Sequence, residues 1–310
     1  MALSSLSSNA ELWRPNRQRS KLIQLVVKCI FGLFALISIA TTIGIVLTLI
    51  FETIGFFQEV SLWQFLTDSK WTPLFSSAKF GIFVLISATV MTSGIAIMVA
   101  LPLGLLAAIC LSFYATPKVR GILKPMMEIL AGVPTIVYGY FAVLFVTPLL
   151  QQFIPGLQGF NALSGGIVLG IMITPLVASL SEDAIYAVPA SLRDGAYALG
   201  ATKGETIISV ILPAALSGIV ASLILAISRA IGETMIVTLA AGQNPTLGLN
   251  PLVPVMTMTA FIVQASSGDT PAGSLAYQTL FAVGMTLFIL TLVLNLFSFW
   301  FVRRFREKYD

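Results

Sequence analysis

The sequence predicts an all-α integral membrane protein with six transmembrane helices. Of its 310 residues 57% are hydrophobic and only 10% charged, and the mean hydropathy is +0.96. A soluble chain would carry roughly a quarter charged residues. Crossing a hydrocarbon core of about 30 Å takes roughly 20 apolar residues at about 1.5 Å each. Runs of that order occupy 29–51, 80–111, 126–150, 163–180, 214–241 and 274–302. The short alternating segments of a barrel are not evident in them, and a helix satisfies its own backbone in lipid.

Residues 1–28 read as a cytoplasmic segment whose basic stretch, Arg14 to Lys21, anchors to the inner leaflet. The run 29–51 is too long for a signal-peptide core and lacks a small-residue cleavage site, so it reads as a retained, extra first helix. Loop 52–79 is expected outside, with Trp63 and Trp71 at the membrane interface. The core, 80–302, then holds five spans and a cytoplasmic loop at 186–213, and 303–310 is a cytoplasmic tail. Pro102, Pro134 and Pro175 are expected to kink spans, with neighbouring helices repairing the freed backbone. Gly165, Gly166 and Gly170 mark close helix packing. Glu128 and the Glu182-Asp183 pair sit near cytoplasmic ends, where carboxylates are usually solvated; a gating or coupling role is the second reading for Glu182. Cys29 and Cys110, both near cytoplasmic ends, read as packing residues with no disulfide between them. With no histidine in the chain, histidine metal sites and histidine general bases are excluded. The sequence also lacks a Walker A motif, so it does not cradle ATP.

Basic residues give the orientation. Segments 1–28, 112–125, 186–213 and 303–310 hold five, three, two and four Lys or Arg. The alternate segments 52–79, 151–162 and 242–273 hold two, Lys70 and Lys79, and Arg229 lies inside a span. Positive residues stay on the cytoplasmic side, which places both termini and the 186–213 loop there. The net charge of +4 is thereby a topology signal and gives no reason to expect nucleic acid.

Within that loop, Ser191 and Asp194 have capping-box spacing, and Thr202 and Glu205 repeat it. Gly200 stands where a helix would end on a left-handed residue. Two short helices around a glycine turn are predicted, with Leu192, Ala196 and Leu199 on one face of the first. On local pattern alone such a face suits either a partner's groove or lipid headgroups. The longer spacing favours the groove. Asp194-Gly195-Ala196, then Gly200, then Val210 and Leu212-Pro213 read D-G-A-x3-G-x9-V-x-L-P. This resembles the E-A-A-x3-G-x9-I-x-L-P loop by which permeases of bacterial ABC importers dock onto their ATPases. Gly195 departs from Ala there and should weaken the first helix by about 1 kcal/mol.

Arg229-Ala230-Ile231-Gly232-Glu233 lies deep in the fifth hydrophobic run. A charge near a helix centre costs roughly 2.5–3.5 kcal/mol on insertion scales, so it should face protein or water. Arg229 and Glu233 are four apart and lie on one helical face, able to pair. That leaves two readings: an ion pair that fixes packing, or a cation on an anion pathway, for which the guanidinium fork suits tetrahedral oxyanions.

The stretch Arg229 to Met235 is similar to the R-A-x-G-E-T-M signature of C-type permease subunits in phosphate-specific (Pst) ABC importers. Glu128 to Gly139, Ser181-Glu182-Asp183-Ala184 with Val188-Pro189, and Met256 to Ile262 also resemble that family. The resemblance implies a type I importer permease that pairs with an A-type permease. An ATPase dimer holding ATP and Mg2+ would sit below, and a periplasmic phosphate-binding protein would deliver from above. The chain itself would bind no cofactor and no metal, and would catalyse nothing. Arg229 and Glu233 would occupy the substrate pathway, and Asp194, Gly195, Ala196, Gly200, Leu212 and Pro213 the ATPase coupling loop. The nearer alternative is an importer of another oxyanion, sulfate or molybdate. A secondary anion carrier is more distant, because it has no use for a docking loop.

Overall fold

The computed structural model describes residues 17–75, 77–268 and 270–305. Part of the basic stretch that begins at Arg14, and the tail residues 306–310, lie outside these. The chain divides into two compact units, one ending at Phe51 and one beginning at Glu52. The first unit holds the greater part of α1 (Arg17–Glu59), whose apolar residues stand almost wholly exposed. Its helix starts earlier and runs further than the predicted 29–51, because nothing after Phe51 breaks it before Glu59.

The second unit continues with α2 (Leu62–Thr67), α3 (Ile82–Ile109), α4 (Pro117–Gly132), α5 (Thr135–Phe141) and α6 (Thr147–Gln151). After these come α7 (Ala162–Tyr186), α8 (Ala190–Ala198), α9 (Lys203–Thr206), α10 (Leu212–Ile231), α11 (Met235–Ala240), α12 (Met258–Ser267) and α13 (Leu275–Phe305). Among the described residues five helices are long and apolar enough to cross a membrane, and a sixth crossing results if α4 to α6 form one span.

The centre of the unit is the pair α3 and α7. A Cβ on Gly166 would lie 2.7 Å from Ile95 Cβ, one on Gly170 2.6 Å from the Ala96 carbonyl, and one on Gly104 2.7 Å from Val177 Cβ. Small residues thus let the two backbones approach, as the sequence predicted. The order of these contacts shows that α3 and α7 run in the same sense. α10 runs the opposite way along α7, with Gly218 against Ala184 and the Ser181 and Ser222 hydroxyls 3.0 Å apart. Pro102 and Pro175 remain inside continuous helices.

Five sequence expectations are corrected. First, 126–150 is not one helix. It breaks at Val133-Pro134, and the two halves meet at 89°. Proline removes a donor and clashes with the preceding turn, and here the chain turns instead of kinking. Second, 214–241 breaks after Ile231 at Gly232 and resumes at Met235. Third, the predicted outer loop 242–273 contains α12. Its Met258 and Phe261 are buried, and its start is fixed by Thr257 Oγ1, which accepts from Ala260 N at 3.1 Å. Fourth, Trp71 is 1% exposed and not interfacial. It packs edge-on against Phe65, Phe80 and Phe261 in an aromatic cluster that includes Phe56. Trp63 does stand exposed. Cys29 and Cys110 are exposed as well, which also corrects the reading of them as packing residues.

Candidate functional site

The sequence-predicted residues form two groups that the structure keeps apart. The loop group begins where Pro189, with φ fixed at −55° and no N–H, starts α8. Ser191 therefore already lies inside the helix, and the expected Ser191 to Asp194 capping box does not form. Asp194 lies instead 3.6 Å from Arg193 Nε, both groups being exposed. At the other end Gly200 adopts φ +83°. Its N–H reaches the Tyr197 carbonyl at 3.0 Å, and Ala201 N reaches the Ala196 carbonyl at 3.1 Å, the two bonds of a Schellman cap.

The second expected box does form. Thr202 N donates to Glu205 Oε2 at 2.8 Å, while Glu205 N donates to Thr202 Oγ1 at 3.4 Å. The predicted docking stripe splits. Ala196 is buried, on a helix that packs against the π-helical turn Ile207–Ile211, whereas Leu192 is exposed and Leu199 is 90% exposed. Gly195 has negative φ and open space where a Cβ would go. Leu212 and Pro213 open α10 just past the π-helical turn, Leu212 packing on a cluster of Ala108, Ile185, Ile211, Ala215 and Ile219. That turn spares Pro213 the helical hydrogen bond it could not make.

The second group lies at the break in the fifth run. Arg229 stands exposed on the surface of the chain, its Nη2 4.0 Å from Met172 Sδ. Met172 is ten residues from Ala162 and fourteen from Tyr186, so Arg229 lies about 15 Å from one end of α7 and about 21 Å from the other. It thus lies beside the middle of a helix long and apolar enough to cross a membrane. Glu233 does not face it. The helix stops at Ile231, and Glu233 turns inward to 7% exposure, where its Oε1 accepts from Met235 N at 3.2 Å. Its carbonyl accepts from Thr259 Oγ1 at 2.7 Å, and Met258 N donates to Thr89 Oγ1 at 3.0 Å. Among the described residues the expected Arg229 to Glu233 pair is therefore absent. The i,i+4 spacing presupposes a continuous helix, and Gly232 ends it. The carboxylate satisfies the amide that the break exposes, and the Glu233 main-chain carbonyl, held by Thr259, ties the break to α12.

Sequence reasoning also misplaced Glu182, which is fully buried and not solvated. Arg120 Nη2 lies 2.7 Å from its Oε1 and Lys124 Nζ 3.2 Å from its Oε2. Arg120 also stacks over the Tyr186 ring, 4.3 Å from the centroid, and hydrogen-bonds its hydroxyl. The available signal was Arg120 and Lys124 one turn apart on α4, two cations on one face awaiting a carboxylate. Glu128 is exposed, as expected.

Residues 100–308 match the family model described as the binding-protein-dependent transport system inner membrane component. A probable ABC transporter permease of Bacillus subtilis, YqgH, is 33% identical over 278 residues, covering 89% of this chain and 90% of that protein. The phosphate transport system permease PstC of Mesorhizobium japonicum is 34% identical, with 77% and 79% covered. That of Haemophilus influenzae is 30% identical, with 89% and 92% covered. Among solved structures, a bacterial alginate ABC transporter chain superposes with TM-score 0.64 at 16% identity, covering 91% of this chain and 96% of that one. A chain of the MetNI methionine ABC transporter gives 0.55 at 18% identity, covering 73% and 95%. The last two show the fold alone, that of a type I ABC importer permease, and the family match with its relatives shows the rest: the chain belongs to the binding-protein-dependent transport system inner membrane component family.

Proposed function

We propose that this chain is a transmembrane subunit of an ATP-driven importer that moves inorganic phosphate into the cytoplasm. The observation that carries the reading is Arg229, an exposed guanidinium beside the middle of a helix long enough to cross a membrane, with no carboxylate ion-paired to it among the described residues. A charge placed there must face protein or water. A second permease closing over this face would turn it into the wall of a pathway, with the fixed cation offsetting the charge of a passing oxyanion. Relatives named as phosphate permeases, aligned over most of the chain, support phosphate as that anion.

The partners are then an A-type permease, two copies of an ATPase that hold ATP and Mg2+, and a periplasmic binding protein. The ATPase would seat the α8 loop, whose outermost apolar side chain is Leu199. The setting is the inner (cytoplasmic) membrane, with both termini cytoplasmic. Uptake of labelled phosphate by the four-component importer in proteoliposomes, with sulfate and molybdate as competitors, tests the reading. Phosphate should be taken up only with ATP and the binding protein. Uptake of sulfate or molybdate with none of phosphate would overturn the assigned cargo.

A further inference from the structure

α4 buries none of its described residues, so no apolar core of its own fastens it. What holds it to the end of α7 is charge. Arg120 and Lys124 converge on the fully buried Glu182, Lys124 lies 3.9 Å from Asp183 as well, and Arg120 stacks on Tyr186. Tyr186 is the last residue of α7, and only Ala187, Val188 and Pro189 separate it from α8. A displacement of the docking loop therefore acts first on the helix end that carries Glu182.

The other end of α4 leads to the second functional group. After the 89° turn at Val133-Pro134 the chain enters α5, which lies hard against α11. A Cβ on Gly139 would fall 2.8 Å from Leu239 Cδ1 and 3.3 Å from the Met235 carbonyl. Met235 is the residue whose amide Glu233 caps. Contacts thus run without a gap from α8 through Glu182, α4 and α5 to the break beside Arg229.

We propose that Glu182 is the tie in this train. It is a positioning residue that holds α4 to α7 so that movement of the docking loop reaches the break, and events at the break reach the docking loop. The inference rests on the proposed roles of the α8 loop and Arg229. The tie stays closed throughout the cycle, because opening it would take both cations from a fully buried carboxylate. This separates it from a gate, which must open.

A cross-link distinguishes the two. In an importer whose permease has Cys29 and Cys110 replaced by Ser, Arg120→Cys and Glu182→Cys are introduced together. A short reducible bis-methanethiosulfonate then bridges them, entering by the cleft of about 470 Å3 lined by Arg120, Lys124 and Tyr186. The primary readout is the factor by which the binding protein stimulates ATP hydrolysis; uptake of labelled phosphate is measured alongside. Before bridging, stimulation should fall by roughly 5- to 150-fold, the span of a typical coupling free energy. Bridging should restore it in the same preparation, and reduction should abolish it again, a reversal that misfolded protein would not show. The tie is overturned if the unbridged variant is stimulated like its parent, or if bridging leaves or deepens the loss. A parent that is stimulated but takes up no phosphate refutes the assigned cargo, while the tie is still judged on stimulation.

Discussion

Removing the cation at Arg229 separates a transport role from a packing role. Had Arg229 been paired with Glu233, a single Arg229→Gln change would have left a buried carboxylate alone, with a large loss of stability. In the structure Glu233 is held by Met235 N and does not depend on Arg229, and Arg229 itself is exposed. Arg229→Gln should therefore change stability by no more than about 0.5 kcal/mol, as for surface substitutions generally. The effect on passage follows from the charge. A unit charge about 4 Å from an anion contributes about 1 kcal/mol in bulk water and about 4 kcal/mol at an effective dielectric constant of about 20. Each 1.36 kcal/mol is a factor of ten, so uptake should fall roughly 5- to 1000-fold. Arg229→Lys keeps the charge but loses the planar fork, and should lie between the two. The assay is initial uptake of labelled phosphate by purified complex in proteoliposomes, normalised to assembled complex by size-exclusion chromatography. Uptake by Arg229→Gln within threefold of the parent, at equal assembly, would refute the pathway role.

At the break, Glu233→Gln keeps an oxygen for Met235 N and should lower the thermal stability of the complex less than Glu233→Ala, which orphans that amide at a cost of about 1–3 kcal/mol; equal loss by both would show that the cap contributes nothing. In the docking loop, Leu199→Asp changes an exposed side chain and should reduce uptake and ATPase co-purification without reducing the amount of permease in the membrane. Gly195→Ala meets open space at negative φ, so it should stabilise α8 by about 1 kcal/mol and at least preserve uptake. For topology, cysteines at Lys203 and Gly248, in a background without Cys29 and Cys110, should respectively resist and accept a membrane-impermeant thiol reagent added from outside; the opposite pattern would invert the orientation.

The spans were legible from hydropathy and their breaks were not, for one physical reason. Hydropathy over some 20 residues reports which chain segments can contact lipid, and a broken helix sealed by its neighbours has the same hydropathy as an unbroken one. Pro102 and Pro175 leave helices continuous, yet Pro134 turns the chain through 89°. The local difference is Gly132, which ends α4 two residues before Pro134, a glycine-then-proline stop that Pro102 and Pro175 lack. At the Gly232 break the freed backbone is received from afar: Thr259 bonds the Glu233 carbonyl from 26 positions away. The turn chemistry of the docking loop was more readable, because Gly200 and the Thr202 to Glu205 box act within a few residues. The box expected at Ser191 does not form, because Pro189 starts the helix before Ser191 can cap it.

The two misplaced carboxylates make the same point with opposite signs. Glu233 was expected to pair because a partner stood four residues away, and it does not, because the helix between them stops. Glu182 was expected in water because it sits near a cytoplasmic helix end, and it is the most fully paired carboxylate among the described residues, its cations 58 and 62 positions earlier. For a charge beside a membrane span, then, sequence sets the need for a partner, and the tertiary fold decides which residue meets it. In this chain it assigns Glu182 to the cations of α4 and leaves Arg229 exposed beside the middle of α7, which is where a passing anion would need it.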